Sequence, residues 1–276
     1  METRTRLILE AAESLGIQAQ SLHPDGNVFR LYSGERQVFL ANGRGDWLGQ
    51  AEGLICQDKG FQYELAKDLD IYPRSQSFLD PFVGEEYQEY VHFHSYEEIV
   101  AEIESSFDYP VIIKPNRGSR GNLVSQCISR DEVLQSVQMI FDHNSSAYDY
   151  VVLAQEYLDV RAEYRVICIA GKITLLIYKD VEQAEFVGNL SPLHWDGAVP
   201  RVSTDETLIG VIQAVLDPLF EKFPIRYVGL DVVLTQGGEW NVIEMNSHPG
   251  FGVFIEHNGE SEVVRVYREL LSEVLS

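Results

Sequence analysis

Cysteine is scarce in this sequence: Cys56, Cys127 and Cys168 are the only three. The number is odd, each lies in an apolar segment, and no metal-ligand spacing links them. The expectation is buried thiols in a reducing compartment, with no disulfide framework and no thiolate metal centre. Long apolar runs are lacking too. None approaches the ~20 residues that span a bilayer, so no membrane partner is expected. The opening METRTRLILEAAESLG lacks the apolar core and cleavage pattern of a secretory signal, and the expected location is cytoplasmic. Positive charge is in short supply: 21 Lys and Arg against 43 Asp and Glu give a formal net charge of −22. Such a chain has no general attraction for a phosphate backbone, so nucleic acid is not an expected partner. There is no internal repeat, no low-complexity tract, and neither the Walker nor the dinucleotide glycine pattern. The 276 residues suffice for one large domain or two smaller ones with real cores.

What is present centres on Tyr227–Asn246, YVGLDVVLTQGGEWNVIEMN. Two runs rich in Val, Leu and Ile flank Gln236-Gly237-Gly238-Glu239, a hairpin signal. With Gly237-Gly238 as a two-residue loop, counting outward sets Val233 opposite Val242, Asp231 opposite Glu244, and Gly229 opposite Asn246. Side chains alternate along a strand, so Asp231, Glu244 and Asn246 share a face. Two carboxylates directly opposite each other repel. One reading places a hard cation between them, with the Asn246 carbonyl as third oxygen ligand, as suits Mg²⁺ completed by phosphate oxygens. The other is an acid pair at a solvated sheet edge, or a register slipped by one residue.

Along the chain, Leu7, Ile8, Ala11, Ala12 and Leu15 have helical spacing over residues 5–15, and Gly16 ends that helix. Val28–Tyr32 and Gln37–Ala41 form a hairpin around Ser33–Arg36, and 47–56 is a short helix. Asp58 caps a helix from Lys59 to about Leu69. Lys59 sits on its first turn, where the helix dipole disfavours a cation unless a phosphate arrives. Ser75–Leu79 is a strand and 80–89 a loop. Capping boxes at Ser95 and Ser129 open helices to about Ser106 and Phe141. Strands are expected at Val111–Ile113, Leu123–Ile128 and Tyr150–Tyr157, then a long hairpin, Ala162–Ala170 with Lys172–Lys179. Helices Asp205–Lys222 and Ser261–Leu275 complete an irregular alternation with several antiparallel hairpins, which is α+β and not doubly wound.

Between two of these strands lies Lys114-Pro115-Asn116-Arg117-Gly118-Ser119-Arg120-Gly121-Asn122. Its glycines let backbone N–H groups turn towards an anion, and Arg117 and Arg120 add positive charge. A plain mobile hairpin loop is the alternative. Pro115 keeps Lys114 extended at the end of its strand.

In order, Asp58-Lys59, PVIIKPNRGSRGN (110–122), QEYL (155–158) with Glu163 and Arg165, GLD (229–231), Glu244-Met245-Asn246 and Pro249-Gly250 resemble the ATP-grasp carboxylate–amine ligases. The likeness runs from about Asp58 to Gly252. It looks nearest to the ribosomal-protein glutamate ligase, cyanophycin synthetase and glutathione synthetase group. The resemblance implies an ATP-grasp fold: a short N-terminal region (1–74), a small subdomain with a glycine-rich flap (75–158), and a C-terminal subdomain with the metal site (159–276). It implies that Lys59 and Lys114 grip ATP phosphates from opposite sides of the cleft, under a flap of Gly118, Ser119, Arg120 and Gly121. Glu156 would meet the adenine amino group, with the backbone of Tyr157 and Leu158 on the ring edge and Glu163 on the ribose. Asp231, Glu244 and Asn246 would bind Mg²⁺, with Mn²⁺ as a substitute. Arg165, Lys179 and Asn189 would stabilise the γ-phosphate and an acyl phosphate.

The implied reaction transfers the γ-phosphate to a carboxylate of an amino acid or peptide, after which an amine attacks to form an amide. No nucleophilic side chain is required. The region before Asp58 is short for the family's N-terminal domain. His248 stands where many relatives carry Ser or Thr, and three roles are open to it: substrate contact, base for the amine, or packing. Gly229 lies where D-alanine ligases carry arginine, which argues against that subgroup. Single ligases of this kind often form homo-oligomers. A small-molecule kinase and a non-catalytic nucleotide-binding module are the competing readings, because fold does not fix function.

Overall fold

Three sheets organise the chain in the computed structural model, which describes residues 2–275. Helix α1 (Thr3–Ser14) follows the apolar spacing and stops before Gly16, whose φ of +69° is left-handed. Strands β1 (Gln18–Ser21), β2 (Val28–Ser33), β3 (Arg36–Ala41) and β4 (Arg44–Gly45) pair in that order. The expected short helix begins later, as α2 (Gln50–Ile55), because Trp47 is drawn into the core instead. Helix α3 (Lys59–Ala66) starts where expected, with the Asp58 carboxylate accepting from the Phe61 N–H at 2.9 Å.

The second sheet takes β5 (Ser75–Leu79), β6 (Val111–Pro115), β7 (Ser125–Cys127) and β8 (Val151–Glu156) in the order β5-β8-β6-β7. Helices α4 (Tyr96–Ser106) and α5 (Arg130–Ile140) cover it with Ile99, Ile103, Val133 and Val137. Both open as expected, with Ser95 and Ser129 accepting from the backbone of Glu98 and Glu132. The strand expected from Leu123 is shorter. Arg120, Gly121 and Leu123 all have positive φ, so the turn continues to Val124.

The third sheet contains β9 (Val160–Ile169), β10 (Lys172–Asp180), β11 (Val199–Ser203), β12 (Tyr227–Thr235) and β13 (Trp240–Asn246), ordered β11-β10-β9-β12-β13. Helix α6 (Glu206–Lys222) packs with α3 on one face, against Val166, Cys168, Leu176, Val228, Leu230, Val232, Val242 and Met245. After α7 (Gly252–Asn258), α8 (Ser261–Leu275) joins α1 on the other face, over Ile167, Ile169, Leu175, Ile177 and Tyr227. Val263, Val266, Leu270 and Leu271 of α8 are fully buried, and burial contributes roughly 1.5–3 kcal/mol for each such side chain. All strand pairs among the described residues are antiparallel, so the fold is α+β. Among these residues no helix is long and apolar enough to cross a membrane.

The β12–β13 hairpin differs from the counted one in an instructive way. Its loop is Gln236–Gly238, closed by the Thr235 N–H on the Glu239 carbonyl at 2.9 Å, with Gly238 at φ +93°. Val232 therefore faces Val242, and Val233 faces Asn241. A bulge beyond Val232 restores the counted register, so Asp231 does face Glu244 and Gly229 does face Asn246. The cause is packing. Val242 and Met245 are three residues apart yet enter the same core, which a regular strand cannot do and a bulged one can.

Candidate active site

Towards one end of the third sheet, the face that carries Ile167 and Ile177 turns from apolar to charged. Cross-strand pairing lines up Ile177, Arg165, Asp231 and Glu244 in one row over β10, β9, β12 and β13. Arg165 grips Asp231 through both carboxylate oxygens, Nε to Oδ1 at 3.0 Å and Nη2 to Oδ2 at 2.7 Å. Lys179 stands 2.9 Å from Asp231 Oδ1 and is also ion-paired with Glu163. The Lys179 side chain is 1% exposed and that of Asp231 7%. Burial opposes the Asp231 charge, but Arg165 and Lys179 outweigh it and hold the carboxyl well below its ordinary range. Likewise, Lys179 is pulled down by burial but raised by Asp231 and Glu163, and the net direction is up. The repulsion inferred from the hairpin is therefore relieved by cations from β9 and β10, which the hairpin sequence does not contain. Glu163, expected at a ribose, is engaged by Lys179.

Glu244 has different company. Its Oε1 accepts from Asn246 Nδ2 at 3.0 Å, and its Oε2 lies 3.3 Å from Lys59 Nζ. Gln62 of α3 puts that lysine in place. Its amide brackets Met245, donating to the carbonyl at 3.1 Å and accepting from the N–H at 2.7 Å, which clamps α3 along the outer edge of β13. Residues 59 and 62 are one helical turn apart, so the clamp brings Lys59 over Glu244. The backbone of Asn116 receives the Lys59 N–H at 3.2 Å, and the Asn116 side chain receives that of Gly60 at 2.8 Å. The first-turn N–H groups of α3 are thereby taken within the chain. Lys59 offers an anion its ammonium, which now donates to the Gly118 carbonyl at 2.7 Å.

Lys114 is 4% exposed and donates to Gln155 Oε1 at 2.9 Å. Burial, and then the nearby Lys59, lower its pKa to about 7, while Glu244 pulls the other way. The two lysines thus reach the region of Glu244 from different elements, Lys59 from α3 beside β13 and Lys114 from β6 of the second sheet.

The flap is tethered at both ends. Lys59 holds Gly118, and Asn189 Nδ2 donates to the Arg120 carbonyl at 3.0 Å. Gly121 has a φ of +68°, which a side chain would strain, and a Cβ there would stand 2.1 Å from Asn189 Oδ1 and displace it. Asn189 is therefore in contact with the flap backbone at Arg120 and Gly121. Arg117 does not add its charge to the turn: its guanidinium lies 3.4 Å from Asp58 and over the Tyr150 ring. Glu156 ends β8, and Tyr157 and Leu158 lie in the short crossing to β9. The Glu156 carboxylate accepts from the Arg74 N–H at 2.7 Å, so one of its oxygens has a structural partner.

His248 lies within 2.8 Å of Ser247 Oγ through Nδ1. Burial, with Arg44 and Arg4 nearby, brings its pKa down to about 4. These surroundings favour the neutral imidazole in the folded chain. The loop carrying it crosses close over Gly229, where a Cβ would stand 2.6 Å from that of Pro249. Gln62 escaped the sequence reading, and Gln155 entered it only as the first residue of QEYL, with no role of its own. The only signal was a polar residue in an otherwise apolar stretch.

A search of curated proteins by sequence finds no match. Solved structures are similar in fold. D-alanine–D-alanine ligase from Bacillus anthracis has a TM-score of 0.53 and 18% identity, covering 80% of this chain and 66% of that one. A bifunctional glutathione synthetase from Pasteurella multocida has a TM-score of 0.54 and 16% identity, covering 98% of this chain and 44% of that one. An L-amino acid ligase from Bacillus licheniformis has a TM-score of 0.50 and 15% identity, covering 81% and 48%. The chain thus spans less than two thirds of each of these proteins. The family description RimK-like ATP-grasp domain matches residues 85–265, well over half the sequence, and takes in Lys114, Arg165, Asp231 and Glu244 but not Lys59. This chain belongs to the RimK-like ATP-grasp family.

Proposed function

We propose that this protein is an ATP-dependent, ADP-forming ligase that joins an amino acid or peptide carboxylate to an amine. The observation that carries the reading is the gathering of Lys59 and Lys114 beside the Asp231–Glu244 pair, beneath a glycine-rich flap. In this account the lysines hold the polyphosphate, and the flap excludes water from it. The γ-phosphate passes to a carboxylate oxygen, releasing ADP. The amine then attacks the acyl carbon, phosphate leaves, and the nitrogen loses its proton. Arg165 and Lys179 stabilise the charge that builds on the transferred group, so catalysis is mostly positioning and electrostatics.

Two carboxylates and an amide oxygen on one face are a hard donor set that fits Mg²⁺ or Mn²⁺, and Asp231, Glu244 and Asn246 would hold it. The ion would neutralise phosphate oxygens. Among the described residues no cluster of three or more His, Cys, Asp or Glu supplies an alternative.

The test is ADP release measured across amino acids, dipeptides and longer peptides. Amide products are expected. A stable phosphoester would indicate a kinase, and ATP binding without turnover a non-catalytic module. Glu244→Ala is expected to lower turnover by at least a hundredfold with little loss of stability, because Lys59 keeps its bond to Gly118. Unchanged turnover would remove Glu244 from the site.

The depressed pKa of Lys114 gives a second expectation. Near pH 8 this lysine is mostly neutral in the free protein, and a bound polyphosphate favours its charged form. Nucleotide binding at pH 8 should therefore take up close to one proton. Calorimetry in buffers of different ionisation enthalpy measures this; Lys114→Met should abolish it, and no uptake by the wild type would contradict it.

A further inference from the structure

We propose that Gln155 is a positioning residue for nucleotide binding, which aims the Lys114 ammonium into the cleft and favours its charged form. The inference rests on Lys114 as a phosphate ligand, but it concerns a residue outside that ligand set. Three buried groups form a chain of fixed polarity. The Pro73 carbonyl can only accept, and it accepts from Ser75 Oγ at 2.9 Å. That hydroxyl has spent its proton, so it offers a lone pair to Gln155 Nε2, also at 2.9 Å. With its nitrogen so engaged, the Gln155 amide must turn Oε1 to Lys114, where the ammonium donates at 2.9 Å.

The backbone enforces the arrangement. Ser75 and Gln155 are direct partners across β5 and β8, and Gln155 faces Ile112, two residues before Lys114 on β6. Lys114 and Gln155 are therefore diagonal neighbours on one face of the second sheet. All three side chains of the chain are at most 7% exposed, so water does not compete for these bonds. Around Lys114, α3 contributes Lys59 and β13 contributes Glu244, while β8 contributes only this neutral amide. An acceptor without charge leaves the ammonium free to form a new bond to phosphate. A carboxylate in its place would compete with the ligand.

The test follows AMP-PNP affinity from pH 6 to pH 10 by calorimetry, for wild type and three variants. Affinity should fall above the pH at which Lys114 loses its proton, and the nucleotide and the flanking Lys59 and Glu244 are the same in all four experiments. Gln155→Leu should move the break to lower pH and weaken binding about tenfold to a hundredfold at pH 8, the effect of an unmet bond to a charged group. Gln155→Glu should move it to higher pH. Ser75→Ala, which frees the amide to turn over, should shift it in the same direction as Gln155→Leu but by less. It also guards against a folding defect in the Gln155 variants. A break that stays at the wild-type pH in a folded Gln155 variant, or in Ser75→Ala if neither folds, would overturn the proposal. If the wild type binds no nucleotide, the ligase reading fails instead.

Discussion

Asp231→Ala should lose folding stability on the order of 3–5 kcal/mol as well as activity, whereas Glu244→Ala should lose activity alone. The difference follows from what each acid leaves behind. Asp231 is the counter-charge for Arg165 and for a lysine that is 1% exposed. Removing it strands two cations in a site largely closed to water, and breaking a buried ion pair from one side is strongly destabilising. Lys179 would retain Glu163, which tempers the loss. Glu244, at 22% side-chain exposure, opens more to solvent. Denaturant midpoints for the two variants measure the contrast. Equal midpoints would show that the Arg165–Asp231–Lys179 cluster does not hold the sheet together. Because Asp231 is the counter-charge for both cations, lost activity in Asp231→Ala would follow from the damaged cluster as readily as from a lost metal ligand.

The second large effect concerns Lys114 and is a gain. Replacing it with Met, of similar length and no charge, should stabilise the fold on the order of 3–5 kcal/mol at pH 6, while nucleotide binding is lost. The size of the gain changes with nothing but pH. A lysine held near 7 instead of its ordinary 10.5 binds fewer protons in the folded chain than in the unfolded one throughout that window. Wild-type stability therefore rises with pH between those values. The burial penalty is fully present below about pH 7 and fades as the unfolded lysine also loses its proton. Denaturant unfolding of both proteins from pH 6 to 10 should show Lys114→Met ahead by most at pH 6 and the two converging towards pH 10. A constant gap would mean that the Lys114 ammonium is not under strain from burial.

These effects also mark the limit of what could be read from sequence. Local signals were legible, because their physics is local. Asp58, Ser95 and Ser129 cap their helices through neighbours three residues on. The facing of Asp231 and Glu244 was legible too, but by way of two compensating differences. The loop is one residue longer than counted, and the bulge that admits both Val242 and Met245 to the core returns the register. What could not be read is long-range. Arg165 reaches Asp231 only because β9 is inserted beside β12, and Gln62 finds Met245 across 183 residues of chain. A solitary glutamine gives no sign of its partner. The same holds for Asn189, whose place at the flap depends on a loop fold that its neighbours do not announce.

The most direct test of the proposed chemistry follows an oxygen atom. The carboxylate substrate that best supports ADP release is labelled with ¹⁸O, and the released inorganic phosphate is analysed by mass spectrometry. Transfer of the γ-phosphate to the carboxylate followed by amine attack should deliver one labelled oxygen to phosphate and leave the other in the amide. Phosphate free of label, with both labelled oxygens retained on the substrate carbon, would contradict that route.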